Sequence, residues 1–101
     1  MKIIIAGACE VGSHLATMLS TSGRNDITLI DNSEKRLTAV AESADIITIC
    51  GDSSSIKTLQ EARVESADLF ISVNPSSSQN LNIVSALLAK KLGCKNTFFA
   101  N

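Results

Sequence analysis

The residues with the clearest chemical potential are Gly7, Ala8, Cys9, Glu10, Val11 and Gly12, directly after the apolar run Lys2 to Ala6. A glycine-rich turn from strand to helix exposes backbone N–H groups at the positive end of the helix, a cradle for phosphate. In the fingerprint G-x-G-x-x-G the first glycine makes the tight turn. The second lets the backbone approach a pyrophosphate, and the third lets the helix pack on the strand. Gly7 and Gly12 fill the outer positions, and Cys9 fills the middle one. The plain alternative is a βα turn that holds no ligand.

A second residue favours a ligand. Asp31 ends the segment Asp26 to Asp31, about 20 residues after Gly12, where a carboxylate accepts from ribose hydroxyls. An Asp there also serves as a cap for the next helix. An acid rather than a base favours an unphosphorylated ribose, hence NAD, NADH, ATP or ADP over NADP, with Arg36 nearby as the counter-indication. Cys9 itself admits three readings. The thiol points aside, at a cost of ~1–3 kcal/mol if the backbone there needs glycine. Alternatively the site is lost and the fold kept as a scaffold. In the third reading, a thiol at a helix N-terminus is activated and oxidation competes with nucleotide.

Five apolar segments would position these residues: 2–6, 26–30, 45–50, 68–73 and 96–100. They are near-continuous in Ile, Leu, Val, Thr and Phe, the pattern of parallel strands covered on both faces. Helical stretches at 10–22, 33–43, 55–63 and 78–92 lie between them. Their inward stripes are Val11, Leu15 and Leu19; Leu37, Val40 and Ala41; Ile56 and Leu59; and Leu81, Val84, Leu88 and Leu92 with Ile83 and Leu87. Alternating strands and helices predict an α/β, Rossmann-like doubly wound parallel sheet of five strands, order 3-2-1-4-5, with helices on both faces. Such sheets bind ligands at the carboxyl ends of their strands. That edge gathers Gly7 to Gly12, Asp31, Gly51, Asp52, Ser53, Val73 and Asn74, with Asn80 as a cap or brace for the last helix.

With these residues placed, the chain resembles the N-terminal nucleotide-binding domain of the Trk/Ktr potassium-uptake regulators, the RCK or KTN (TrkA-N) family. The resemblance rests on MKIIIAG-x-x-EVG-x-x-LA, on ITLID followed by SEKRL, and on GD at 51–52. EARVESAD at 61–68 and the final Asn80 to LLAKKLG helix complete an ordered set that spans all 101 residues. It implies a regulatory module rather than an enzyme, one that binds NAD(H) or ATP/ADP and forms a homodimer or ring. It also implies a partner, an integral-membrane potassium transporter subunit, on the inner, cytoplasmic face of the membrane. The nucleotide contacts it implies are Gly7 to Gly12, Asp31, Asp52 with Ser53, and Asn74 with Pro75. In the family a glycine is usual at the place of Cys9, and a Thr with a small or acidic residue at Asn74-Pro75. The family's domain also continues with a sixth strand and helix, so residues 1–101 are expected to be one domain short of that part.

Composition narrows the field. A net charge of −1 without a run of Lys or Arg argues against a nucleic-acid surface. Three cysteines without a CxxC pair suit a reducing compartment, and the short apolar start is no signal peptide. Cys50 is expected to close a buried strand, Cys94 to be structural, and the single His14 to be a surface or packing residue of the first helix rather than a catalytic base or metal ligand. Two rival functions remain at this point: the cofactor half of an NAD-dependent dehydrogenase, and a degenerate dimerisation scaffold that binds nothing.

Overall fold

The computed structural model describes residues 1–75 and 79–100, with nothing of the Gln79 side chain. Its strands are β1 (Lys2–Ala6), β2 (Asp26–Asp31), β3 (Ile47–Cys50), β4 (Leu69–Ser72) and β5 (Asn96–Phe99). Its helices are α1 (Glu10–Thr21), α2 (Glu34–Ala41), α3 (Ile56–Glu61) and α4 (Gln79–Lys91), with a 3-10 turn at Val64–Ser66. All four strand pairings are parallel, and the order is β3-β2-β1-β4-β5, as the sequence predicts. The expected start of the last helix at Ser78 and the expected end of the domain at Asn101 fall outside the described residues.

The apolar runs are continuous because a strand's successive side chains point to opposite faces and both faces are covered. On β1, Ile4 and Ala6 pack with Ile30, Leu59, Val64, Phe70 and Ala89 on one side of the sheet. Ile3 and Ile5 pack with Ala16, Ile27, Leu29, Leu37 and Val40 on the other. Ile4 and Ile5 are both fully buried, worth about 1.5–3 kcal/mol each by area removed from water. The cover thins at the sheet's edges, where Ile47 on β3 and Phe98 and Phe99 on β5 are exposed.

The expected stripes hold in part. Leu15, Leu19, Leu37, Val40, Leu59, Leu88 and Leu92 pack inward, whereas Ala41 at the end of α2 and Ile56 at the start of α3 are exposed. α1 and α4 depart further, for one reason. α1 buries Gly12 and Ala16 and leaves Val11 (59%) and Met18 in solvent. α4 buries Asn82, Ser85, Ala86 and Ala89 and exposes Ile83, Val84 and Leu87 (65%). Small residues let both helices lie close to the sheet, so the contact face follows size rather than hydrophobicity. Cys50 is also corrected: it is exposed, because β3 is an edge strand. Cys94 is buried and His14 exposed, as expected. No described helix is long and apolar enough to cross a membrane.

Candidate functional site

Strand register sets the site. Ala6 pairs with Ile30 and with Ser72, and Asp31 pairs with Cys50, so four strands end at one edge. One more ladder bond follows three of these ends: Gly7 N–H to the Ile30 carbonyl (2.8 Å), Gly51 N–H to Asp31 (2.9 Å) and Val73 N–H to Ala6 (2.9 Å). The chain then turns into α1 with Gly7 at φ +116°, a backbone region that favours glycine. A Cβ on Gly7 would lie 3.0 Å from the Asn74 nitrogen, and one on Gly12 only 1.8 Å from the Gly7 carbonyl oxygen. Both outer glycines are therefore required by the fold.

Cys9 is different. It precedes α1 at φ −73°, ψ −177°, ordinary extended backbone that any residue adopts. Its thiol donates to the Val73 carbonyl at 2.9 Å and so turns toward the end of β4. The geometry supports the reading in which the thiol points aside, without the glycine-only strain. Ser13 N–H makes the first helical bond back to the Cys9 carbonyl (2.8 Å), and no side chain of Cys9 caps the helix end. The N–H groups of the first turn, at Glu10, Val11 and Gly12, are those a helix leaves for an outside acceptor. Cys9→Gly is expected to lower stability by about 0.5–1 kcal/mol through unfolded-chain entropy, read as a few degrees in a melting curve. If the turn holds a nucleotide, the variant's affinity for it should stay within about threefold of the parent's, about 0.7 kcal/mol; a much tighter variant would mean that the thiol does obstruct the turn.

Asp31 joins this turn to the neighbouring cleft. Its side chain is buried, with Oδ1 accepting from Ala8 N–H (2.8 Å) and Oδ2 from Ser33 N–H (2.9 Å). The Arg36 guanidinium lies 3.6 Å from Oδ2 and is more than half exposed, so the pair itself adds little. Ser33 caps α2 by accepting from Arg36 N–H (3.3 Å). Asp31 is therefore not the cap of α2, which is Ser33: its carboxylate holds the two turns together, and each of its oxygens keeps a further lone pair.

The cleft itself measures about 220 Å³, below the roughly 300–1,000 Å³ of pockets that enclose a drug-sized ligand. Asp31 and Asn32, Gly51 to Ser53, Asn74 and Leu81 line it, which gathers the predicted residues from β2, β3 and β4. Asp52 accepts from the Ser54 hydroxyl (2.6 Å) and N–H (2.8 Å). The hydroxyl first, then the N–H, hold its carboxyl below the ordinary range, so it is ionised at neutral pH. Ser53 is buried and its hydroxyl bonds to Ser85 of α4 at 3.0 Å, which ties the cleft wall to that helix. Pro75 is exposed beyond the cleft. At the rim, the exposed Cys50 thiol is pushed up by local desolvation and then by the Glu34 and Asp31 carboxylates, so it stays protonated at neutral pH.

Asn80 does not brace the last helix: it is exposed, and Asn82 does that work. Asn82 is 1% exposed and takes hydrogen bonds from the Ser72 hydroxyl and from Asn74, while donating to the carbonyls of Asn74 and Ala100. The sequence held one signal for it, an Asn and a Ser three residues apart within an apolar helix stripe.

A doubly wound parallel sheet with a glycine turn and an acidic second-strand end defines the class of Rossmann-like α/β domains. The family model for the TrkA-N domain matches residues 3–101, and the chain belongs to that family. It is 41% identical over 96 residues to a Trk system potassium uptake protein TrkA homolog of Archaeoglobus fulgidus, covering 95% of this chain and 21% of that one. It is 43% identical over 81 residues to the TrkA protein of Haemophilus influenzae, covering 80% and 18%. A homolog from Methanothermobacter thermautotrophicus is 35% identical over 91 residues, covering 90% and 41%. The chain thus spans between 18% and 41% of the length of these relatives.

Among solved structures, the Kef CTD of Shewanella denitrificans in AMP-bound form superposes with a TM-score of 0.78 at 19% identity, over 97% of this chain and 57% of that one. The TrkA-N domain of the inner membrane protein ybaL of Escherichia coli gives 0.67 at 18% identity, over 98% and 87%. Saccharopine dehydrogenase of Saccharomyces cerevisiae gives 0.74 at 16% identity, over 99% and 21%. At these identities the likeness is one of fold.

Proposed function

We propose that this chain is the nucleotide-sensing module of a regulator of potassium uptake, and that its ligand is NAD(H) or an adenosine phosphate (ATP or ADP). The observation that supports the reading is the bond from Ala8 N–H to Asp31 Oδ1, which ties the glycine turn to a carboxylate on the wall of the cleft, although no residue of the turn lines the cleft itself. In this reading the nucleoside lies in the cleft among Asp31, Asp52 and Asn74, and phosphate lies over the first turn of α1, at Cys9 to Gly12. The AMP held by the Kef CTD supports an adenosine ligand on this fold, and the TrkA relatives support a potassium-transport setting. The module would work as a homodimer or ring beside an integral-membrane transporter subunit, at the cytoplasmic face. The ligand biases transport only by binding two conformations unequally.

Thermal unfolding tests the ligand directly. A nucleotide at 100 times its Kd is expected to stabilise the chain by ~2.7 kcal/mol, a rise of about 10 °C or more for a domain of this size. Absence of a shift with millimolar NAD, NADH, ATP and ADP would contradict the reading and favour a scaffold that binds nothing.

A further inference from the structure

The end of the sheet opposite the candidate site holds a second cavity, an open groove of about 290 Å³ that no role described above uses. Among its lining residues are Lys2 of β1, Asp26 of β2, Ile47 and Ile49 of β3, and Glu61 and Arg63 at the end of α3. Ile47 stands on an edge strand and is 62% exposed. The charges are two of each sign, Lys2 and Arg63 against Asp26 and Glu61.

None of the four forms an ion pair within the described residues, whose two pairs are Arg36 with Asp31 and Lys95 with Asp68. Ser76 to Ser78, Asn101 and the side chain of Gln79, outside that description, bring no charged side chain. In the chain they follow the carboxyl ends of β4 and β5, whereas the groove lies at the amino ends of β1 to β3. The Lys2 ammonium donates to neutral groups instead, the Arg63 carbonyl (3.2 Å) and the Ser66 hydroxyl (3.4 Å). Arg63 has φ +57° and ψ +49°, and no other non-glycine among the described residues has a positive φ. That conformation suits glycine and costs a residue with a side chain free energy. A cation is thus kept beside the groove against the preference of its backbone.

Four unpaired charges around an apolar strand edge make a surface complementary to itself. A partner charged with one sign would meet as many like charges as opposite ones. A two-fold axis instead brings each copy's cations to the other's carboxylates, as an isologous contact requires. It also sets Ile47 against a like residue, the apolar centre of a polar-rimmed contact.

We propose that this end of the sheet is a homotypic contact. A second copy of the chain docks on it about a two-fold axis, with Lys2 and Arg63 of each copy facing Asp26 and Glu61 of the other around Ile47. This rests on the homodimer of the reading above and gives it a surface; the nucleotide takes no part in it.

Sedimentation equilibrium of the full chain, from micromolar to millimolar concentration, tests the contact. The parent should dimerise, and less so in high salt. An acidic variant (Lys2→Glu with Arg63→Glu) and a basic one (Asp26→Lys with Glu61→Lys) should each self-associate about tenfold more weakly or worse, a loss of about 1.4 kcal/mol. Mixed in equal amounts, the two should form a heterodimer as tight as the parent dimer. If either fails to fold, Arg63→Glu and Glu61→Lys take their places in the same mixture. Arg63→Gly should raise the melting temperature of dilute, monomeric protein by a few degrees while weakening the dimer. A residue that only ended α3 would not show that split.

The proposal falls if both charge variants dimerise as the parent does, or if their mixture stays monomeric. A dimer lost with Leu87→Asp on α4 but kept by both charge variants removes this proposal and leaves the homodimer. A parent that stays monomeric at millimolar concentration removes both, and leaves the groove to a zwitterion or an unlike protein. Nucleotide binding is read separately, by the thermal shift.

Discussion

Gly12→Ala is expected to destabilise the chain by at least ~3 kcal/mol, the upper end of what overpacking costs. The added Cβ would fall 1.8 Å from the Gly7 carbonyl oxygen and 3.2 Å from the Val73 side chain. The first of these is backbone, so relief requires α1 to move off the sheet. That movement also separates Ala16 from the buried cluster of Ile3, Ile5 and Leu29. A domain of this size has about 5–15 kcal/mol of stability, so the variant should melt about 12–24 °C lower. Gly23→Ala is the control: its φ is +82°, but a Cβ there meets nothing within 4 Å. It should cost only the backbone term, about 1 kcal/mol, and leave ligand binding unchanged. Similar melting of the two variants would mean that α1 is not held against the turn as the structure has it.

Asp31→Ala carries the second large effect, and it acts on stability and selectivity together. Removing the carboxylate strands the Ala8 and Ser33 N–H groups, one buried and one partly buried, at about 1–3 kcal/mol each. Melting should fall by about 8 °C or more, and the affinity for ADP by about a hundredfold, or 2.7 kcal/mol. Arg36 loses its partner in the same step, and its guanidinium is free to meet an anion. The variant is therefore expected to discriminate less between NAD and its 2′-phosphorylated counterpart. Asp31→Asn keeps one acceptor oxygen and should recover part of the stability but little of the affinity. Calorimetric titration beside a melting curve separates the two. A variant that loses stability while keeping its affinity and preference would confine Asp31 to a structural role.

The sheet order was legible in the sequence because each strand is an unbroken apolar run and each helix begins within a few residues of a strand's end. The turn and Asp31 were legible because spacing along the chain becomes register across a parallel sheet: Ala6 beside Ile30 puts Gly7 and Asp31 at one edge. The inner faces of α1 and α4 were legible only in part: Leu15, Leu19, Leu88 and Leu92 do pack against the core. Hydrophobic periodicity marks the large residues, whereas Gly12, Ala16, Ala86 and Ala89 face the sheet because they are small. Cys50 read as buried because nothing in its own strand tells an edge from a centre. Asn82 was hidden for a related reason. Its partners are the backbone ends of β4 and β5, which no local pattern brings near it, and Asn80 offered the same side chain closer to the helix start.

The most direct test of the central claim is the amide spectrum of the nitrogen-15-labelled chain during titration with ADP and with NADH. Binding as described perturbs Ala8 to Gly12 at the turn and Asn32, Gly51 to Ser53 and Asn74 at the cleft, in one saturable process. The Lys2, Asp26 and Arg63 amides, at the opposite end of the sheet, stay unmoved. Shifts confined to that opposite end, or no saturable shift with either nucleotide, would contradict the account.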